Sequence, residues 1–220
     1  MSIEREKQLA AEAAAELVES GMALGLGTGS TVAFLLPALA RRRLAVRCVA
    51  SSVRTEEVAR GLGLSVEPFD RLDRFDLAID GADQITPDGW LVKGGGGAHT
   101  REKIIAAAAG RFVVIADSSK PVPALRSPIP VELLAFGLPA TLRRLQPVTL
   151  RDAPRSPDGG VIADYQGSVG DPAALAEWLE SIPGLVGHGL FPPALVSEVL
   201  IARGESVERR LPQASVRRAR

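Results

Sequence analysis

The chain has 220 residues but one cysteine, Cys48, and two histidines, His99 and His188. A lone cysteine forms no intrachain disulfide, and the cysteine- and histidine-rich metal patterns need more ligands than are present. A reducing, cytoplasmic setting and no metal site are therefore expected. An excess of either charge is lacking too. Lys plus Arg and Asp plus Glu stand at 26 each, so nothing points to nucleic acid or an anionic membrane as partner. No apolar run approaches the ~20 residues of a bilayer span. The N-terminus mixes acids into a helical pattern where a signal peptide would be basic and then apolar. Internal repeats and low-complexity tracts are missing, apart from an Ala and Arg bias. Only the tail SVRRAR from Ser215 is locally basic, and a solvated chain end explains it.

What the chain does have is clustered glycine. The stretch KGGGGAHTREK, residues 93–103, puts four glycines in a row beside charged residues. Each costs backbone entropy on ordering, so the run is either a flexible linker or a backbone that must lie close to something. Trp90, Leu91 and Val92 before it, and Ile104 and Ile105 after it, argue against a linker. A loop that cradles a ligand fits better.

Periodicity predicts a helix over 3–20, with Leu9, Ala13 and Leu17 on one face and Gly21 as its stop. An apolar strand then enters GTGST, and a helix over 31–43 follows in which Pro37 argues against continuity. AVRCVAS, LSVEPF, FDLAIDGAD and RFVVIAD read as strands, RTEEVARGLG and TREKIIAAAAG as helices. This alternation predicts an α/β fold whose parallel sheet is covered on both faces. Ligands of such sheets bind outside the carboxyl ends of the strands. From SKPVPALRSPIP onward, with four prolines in twelve residues, the elements shorten and mix, which predicts a small α+β domain. The expected division is 1–125 for the first domain, 126–199 for the second, and a return of the last strand to the first at about 200–212.

Three turns fall at predicted strand ends: GTGST (27–31), DGAD (80–83) and KGGGG (93–97). Thr28, Gly29, Ser30 and Thr31 offer backbone N–H groups, hydroxyls and a helix N-terminus, which suit phosphate or sugar hydroxyls. A tight turn with a capping hydroxyl explains them as well. The stretch matches neither GxxxxGK[ST] nor GxGxxG, so the nucleotide motifs lack their defining residues. Asp80 and Asp83, around Gly81 and Ala82, are either turn formers or a pair for acid–base work on hydroxyls. Glu102 falls in the first turn of a helix, where the macrodipole favours an acid and favours its ionised form. Burial would have to oppose that if Glu102 is to act as a base near neutrality. Lys93 and Lys120 are surface lysines or partners for an oxyanion. The two histidines read as a loop residue and a packed strand-end residue.

In this order and spacing, GLGTGST, DGAD, KGGGGAHTREK, IADSSK, SPIPVELL and IPGLVGHGLF resemble ribose-5-phosphate isomerase of type A over nearly the whole chain. The resemblance implies interconversion of ribose 5-phosphate and ribulose 5-phosphate in the pentose phosphate pathway, without metal or organic cofactor. It also implies a Rossmann-like domain carrying a small ferredoxin-like domain, assembled as a homodimer or homotetramer. Glu102 matches the family's proton-transferring glutamate. Thr28, Gly29, Ser30, Thr31, Asp80, Gly81, Ala82, Asp83, Lys93, Gly94, Gly95, Gly96 and Lys120 match its substrate-binding segments. Asp80, with Lys93, is the candidate for ring opening, and backbone N–H groups of residues 94–97 are candidates to hold the enediolate. The sequence departs from the family at Gln84, where a carboxylate is usual, and at His99, where a small or apolar residue is expected. A sugar-phosphate sensor would need a DNA-binding segment, and an amino-sugar phosphate deaminase a catalytic histidine after the aspartates; DGADQITPDG has none. A CoA transferase on the same fold is a further alternative.

Overall fold

The computed structural model describes residues 2–72 and 74–211, so the basic tail lies outside the described residues. Six helices are described: α1 (Ile3–Ala15), α2 (Val32–Arg42), α3 (Val53–Gly61), α4 (His99–Ala108), α5 (Leu138–Leu145) and α6 (Pro172–Glu180). The first strands are β1 (Ala23–Leu26), β2 (Arg47–Ala50), β3 (Ser65–Val66), β4 (Phe75–Gly81), β5 (Gln84–Ile85), β6 (Leu91–Val92) and β7 (Ala109–Ala116). Then come β8 (Ile129–Leu133), β9 (Val148–Leu150), β10 (Val161–Tyr165), β11 (Leu185–His188), β12 (Leu190–Phe191), β13 (Glu198–Arg203) and β14 (Ser206–Arg210).

The expected α/β architecture is present. Seven strands lie in the order β14-β13-β7-β4-β1-β2-β3, and every pairing is parallel except that of β14. Alternate residues of each central strand face opposite sides. Leu77, Ile79, Val113 and Ile115 pack with α1 and α2, whereas Ala78, Phe112 and Val114 pack with Ile105 and Ala106 of α4. β2 lies on one side of β1 and β4 on the other, so the chain reverses direction across the sheet at β1. A crevice opens at the carboxyl ends of β1 and β4. An antiparallel sheet, β11-β8-β10-β9, has its own core of Ile129, Val131, Leu133, Leu145, Ala163 and Leu179. A third sheet, β12-β6-β5, joins the chain around β6 to the end of β11.

The structure corrects several sequence expectations. α1 ends at Ala15 rather than near residue 20. The Arg42 guanidinium donates to the carbonyls of Ala15 and Val18, the latter at 2.7 Å, and so satisfies groups that further helical turns would have used. The buried stripe of α1 is Ala10, Ala11, Ala14 and Ala15, with Leu9, Ala13 and Leu17 at its rim. Alanines let α1 approach the sheet closely; leucines would hold it off. α2 runs unbroken through Pro37, because Leu35, Leu36, Ala38 and Leu39 are buried around it and that packing offsets a proline cost of about 3 kcal/mol. LSVEPF contributes only the two residues of β3 before a short 3-10 turn, Phe69–Arg71. The two-residue strands β5, β6 and β12 are too short for any periodicity to signal them. No helix among the described residues is long and apolar enough to cross a membrane.

Candidate active site

Each of the three predicted turns reaches the crevice. GTGST leaves β1 and enters α2, DGAD leaves β4, and the glycine run leaves β6 and enters α4. β6 belongs to the third sheet, so this loop comes in from outside the parallel sheet. A cleft results, lined by Thr28, Gly29, Ser30, Thr31, Gly81, Ala82, Asp83, Lys93, Gly94, Gly95, Gly96, Glu102 and Lys120. Gly97, a candidate to hold the enediolate, is not on that wall and donates its N–H to the Gly94 carbonyl at 3.0 Å. Of the other catalytic and binding candidates, only Asp80 is not on it either. It lies beneath, with one carboxylate oxygen accepting from the N–H groups of Thr28 (3.1 Å) and Gly81 (2.7 Å) and the other 2.8 Å from the Lys93 ammonium.

Lys93 is the centre of the site's electrostatics. Its Nζ donates to the Gly81 carbonyl at 2.6 Å, pairs with Asp80 and lies 3.1 Å from Glu102 Oε2, and all three charged side chains are buried. Burial disfavours the ammonium, but the two carboxylates more than offset this and hold its pKa above the ordinary lysine value. Burial pushes the Asp80 carboxyl upward, against the pull of Lys93. Glu102 is raised to about 8, by burial first and by the charge of Asp80 second, with Lys93 opposing. The competition between helix dipole and burial anticipated at Glu102 is therefore won by burial.

The glycines have separate reasons. Gly94 and Gly97 take φ values of +105° and +74°, which L side chains rarely adopt, and a Cβ on Gly94 would lie 2.7 Å from the His99 ring. Gly95 donates its N–H to Asp83 at 2.9 Å, and a Cβ there would press on the same carboxylate at 3.2 Å.

Several supports carried no sequence signal. Ser52, the N-cap of α3, shares a hydrogen bond of 3.0 Å with the Thr28 hydroxyl, and Thr55 donates to the Gly27 carbonyl at 3.0 Å. Glu6 of α1 accepts from the N–H groups of Ser118 (2.9 Å) and Gly204 (2.8 Å), fastening the loop that carries Lys120. The buried Asp117 accepts from Ser119 N–H in the same loop. The Arg151 guanidinium, on the chain leaving β9, reaches the glycine loop. Only the serine at a helix start was detectable, as a capping residue.

The two departures from the family pattern resolve differently. The Gln84 amide donates to the Arg126 carbonyl at 2.7 Å while its oxygen accepts from Arg126 N–H at 2.9 Å. An ionised carboxylate has no proton for the first of these bonds, so Gln84 ties β5 to the chain before β8. His99 is no loop residue: it opens α4, fully buried, with no hydrogen bond of good geometry at either ring nitrogen and only a looser approach to the Gly187 backbone, and burial depresses its pKa to about 3. A neutral imidazole so poorly partnered is less favourable there than a hydrocarbon of similar volume. His99→Leu is expected to raise stability by about 1 kcal/mol, measured by denaturant unfolding at pH 7; a loss would show that the ring makes an essential polar contact. His188, at the end of β11, is buried as expected, its Nδ1 3.2 Å from the N–H of Leu190 and 3.3 Å from Lys103 Nζ.

Among the described residues no group of three or more His, Cys, Asp and Glu is arranged to hold a metal ion. The cleft is built for an anionic, hydroxyl-rich ligand: two lysines, two carboxylates, hydroxyls and glycine backbone surround it.

Comparison with known proteins agrees. Residues 47–206 match the family model of ribose 5-phosphate isomerase A (phosphoriboisomerase A). A ribose-5-phosphate isomerase A from Roseiflexus castenholzii is 45% identical over 96% of this chain and 97% of its own. The crystal structure of ribose 5 phosphate isomerase A from Neisseria gonorrhoeae superposes with a TM-score of 0.91 at 30% identity, covering 96% of this chain and 98% of that one. A D-ribose-5-phosphate isomerase in complex with phospho-erythronic acid has a TM-score of 0.89 at 31% identity, covering 96% of this chain and 100% of that one. Lys93, the glycine loop and Glu102 thus lie in an isomerase scaffold matched nearly end to end, and the chain belongs to the ribose 5-phosphate isomerase A family.

Proposed function

We propose that this chain interconverts D-ribose 5-phosphate and D-ribulose 5-phosphate through a cis-enediolate, with Glu102 as the base, as a step of the non-oxidative pentose phosphate pathway. The observation that carries the mechanism is a buried carboxylate on the cleft wall, 3.1 Å from a buried lysine and close to a second acid, surroundings that raise its pKa to about 8. A base of that pKa is far stronger than an ordinary glutamate and is still partly ionised near neutrality. Glu102 takes the proton from C2 of the open-chain aldose and returns it to C1, while a proton passes from O2 to O1. Negative charge develops on those two oxygens. N–H groups of the glycine loop and the Lys93 ammonium stabilise it.

Ring opening precedes this step. The O1 hydroxyl loses its proton, the C1–O4 bond breaks and O4 gains a proton. Lys93 is the face of the Asp80–Lys93 pair that meets the cleft, and Asp80 acts through it; Asp83, exposed on the wall, is the second carboxylate within the site. The turn over residues 28–31, at the N-terminus of α2, and Lys120 take the phosphate and remaining hydroxyls. The phospho-erythronic acid of the related complex is a phosphorylated acid whose carboxylate resembles the enediolate in charge and shape. The same compound is expected to bind here.

We also propose a division into a Rossmann-like domain over 1–125, completed by β13 and β14, and a ferredoxin-like domain over about 126–199. The order β8-α5-β9-β10-α6-β11 with its antiparallel sheet supports the second, and the separate hydrophobic core supports its being a unit. Phe136, 92% exposed beside the half-exposed Leu134, supports a homodimer or homotetramer.

Turnover of ribose 5-phosphate by the purified protein, in excess chelator and without added cofactor, tests the activity. Its pH dependence tests the base. The ionised carboxylate is the active form, so kcat/KM should rise as pH increases through about 8, with an apparent pKa belonging to the Glu102–Asp80–Lys93 cluster. A rate already flat from pH 5 upward would remove Glu102 from that role, and no turnover would sink the isomerase.

A further inference from the structure

Arg151 lies on the chain leaving β9, outside the cleft wall. Its Nε and Nη2 are 2.7 Å and 2.6 Å from the two carboxylate oxygens of Asp164 on β10, a bidentate pair that fixes the plane of the guanidinium. The remaining nitrogen, Nη1, donates to two successive carbonyls of the glycine loop, Gly94 at 2.9 Å and Gly95 at 3.0 Å. In a trans peptide the C=O of one residue and the N–H of the next point in opposite directions. Two carbonyls converging on one nitrogen therefore send the N–H groups of Gly95 and Gly96 to the other side of the loop. The cleft is on that side: Gly95 N–H meets Asp83, which lines it.

We infer that Arg151, held by Asp164, is a positioning residue that turns the Gly95 N–H onto Asp83 and aims the Gly96 N–H group at the reacting sugar oxygens. It thereby makes the antiparallel sheet part of the catalytic apparatus. This rests on the isomerase reading and on the glycine loop as the holder of the enediolate. Glycine confers the freedom for that peptide orientation but does not select it; four glycines alone would leave the loop in many conformations. The guanidinium removes this freedom by contacts 57 and 56 residues away in sequence. A lysine at position 151 would supply charge but no planar fork, so it could not grip Asp164 and both carbonyls in the same way.

The test compares Arg151→Met, Arg151→Lys and Asp164→Asn with the native protein, measuring kcat and KM for ribose 5-phosphate and the inhibition constant of phospho-erythronic acid. A misaimed donor matters most when charge has developed. Arg151→Met should lower kcat by about 10–100-fold with KM changed less than about threefold, and phospho-erythronic acid should bind more weakly by a similar factor to kcat. Arg151→Lys and Asp164→Asn should fall between that variant and the native protein. If Arg151→Met does not fold, Arg151→Lys decides by the same split. A lowered melting temperature with kcat and inhibitor affinity unchanged would make Arg151 a structural tie only and overturn the inference. Absence of turnover in the native protein would instead remove the isomerase reading, so the two failures are separable.

Discussion

Glu102→Gln should lower kcat by about 10²–10⁴-fold, the range a positioned general base contributes, with a much smaller change in KM. The amide matches the carboxylate in size, so the cleft keeps its shape while the group proposed to accept the C2 proton disappears. The same substitution should make the protein more stable at alkaline pH. Asp80, Lys93 and Glu102 are all buried, and with both acids ionised they carry an uncompensated negative charge. Glu102 has its carboxyl raised from 4.5 to about 8, so the folded state binds more protons than the unfolded one between those values. Stability contributed by the protonated form is complete below about pH 4.5 and lost as pH rises towards 8 and beyond. Glutamine does not titrate. The melting temperature of the variant minus that of the native protein should therefore grow from pH 5 to about pH 9, as thermal melts across that range would reveal. Residual activity within a factor of about ten of native would move the base to Asp83 or Asp80.

Lys93→Met is the harsher change. It leaves two buried carboxylates without their cation, and breaking a buried pair in this way costs about 3–5 kcal/mol. Some of that is recovered by protonation, since losing the ammonium raises both carboxyl pKa values further. The destabilisation should consequently be larger at pH 8 than at pH 5, read by urea unfolding at the two pH values. Activity should vanish for a separate reason: Glu102, pushed further upward, would be protonated at the pH where the native enzyme works. Combining Lys93→Met with Glu102→Gln should restore part of the lost stability, because the second substitution removes one stranded charge. If the double variant instead differs in stability from Lys93→Met by the same amount as Glu102→Gln differs from the native protein, the groups are not energetically coupled.

The readable and unreadable parts of this site divide by range of interaction. Turns are local. GTGST, DGAD and KGGGG were legible because a positive φ, a strand end or a helix start is set within a few residues, as at Gly29, Gly94 and Gly97. The supports of those turns were not. Ser118 meets Glu6 across 112 residues, Arg151 meets Gly94 across 57, and Thr28 meets Ser52 across 24, and a residue type says nothing about a partner so distant. The misjudged face of α1 has a similar origin: leucine spacing suggests a stripe, but alanines decide how closely a helix can sit on a sheet. Gln84 looked like a missing acid, and only its reciprocal bonds to Arg126 reveal an amide that does what an acid could not.

By itself the sequence determined the alternation of strands and helices, the three turns that ring the cleft, the candidate acid and the family whose motifs they repeat. Those rest on local backbone preference and on residue order. Tertiary structure decided the rest: that Asp80 lies beneath Lys93, that the Arg151 guanidinium reaches the glycine loop, and that Glu102 is buried beside Lys93 with its pKa pushed up to about 8. The physical reason is that the charge state of a carboxylate depends on solvent exclusion and on opposite charges a few ångströms away. The fold alone brings those groups together.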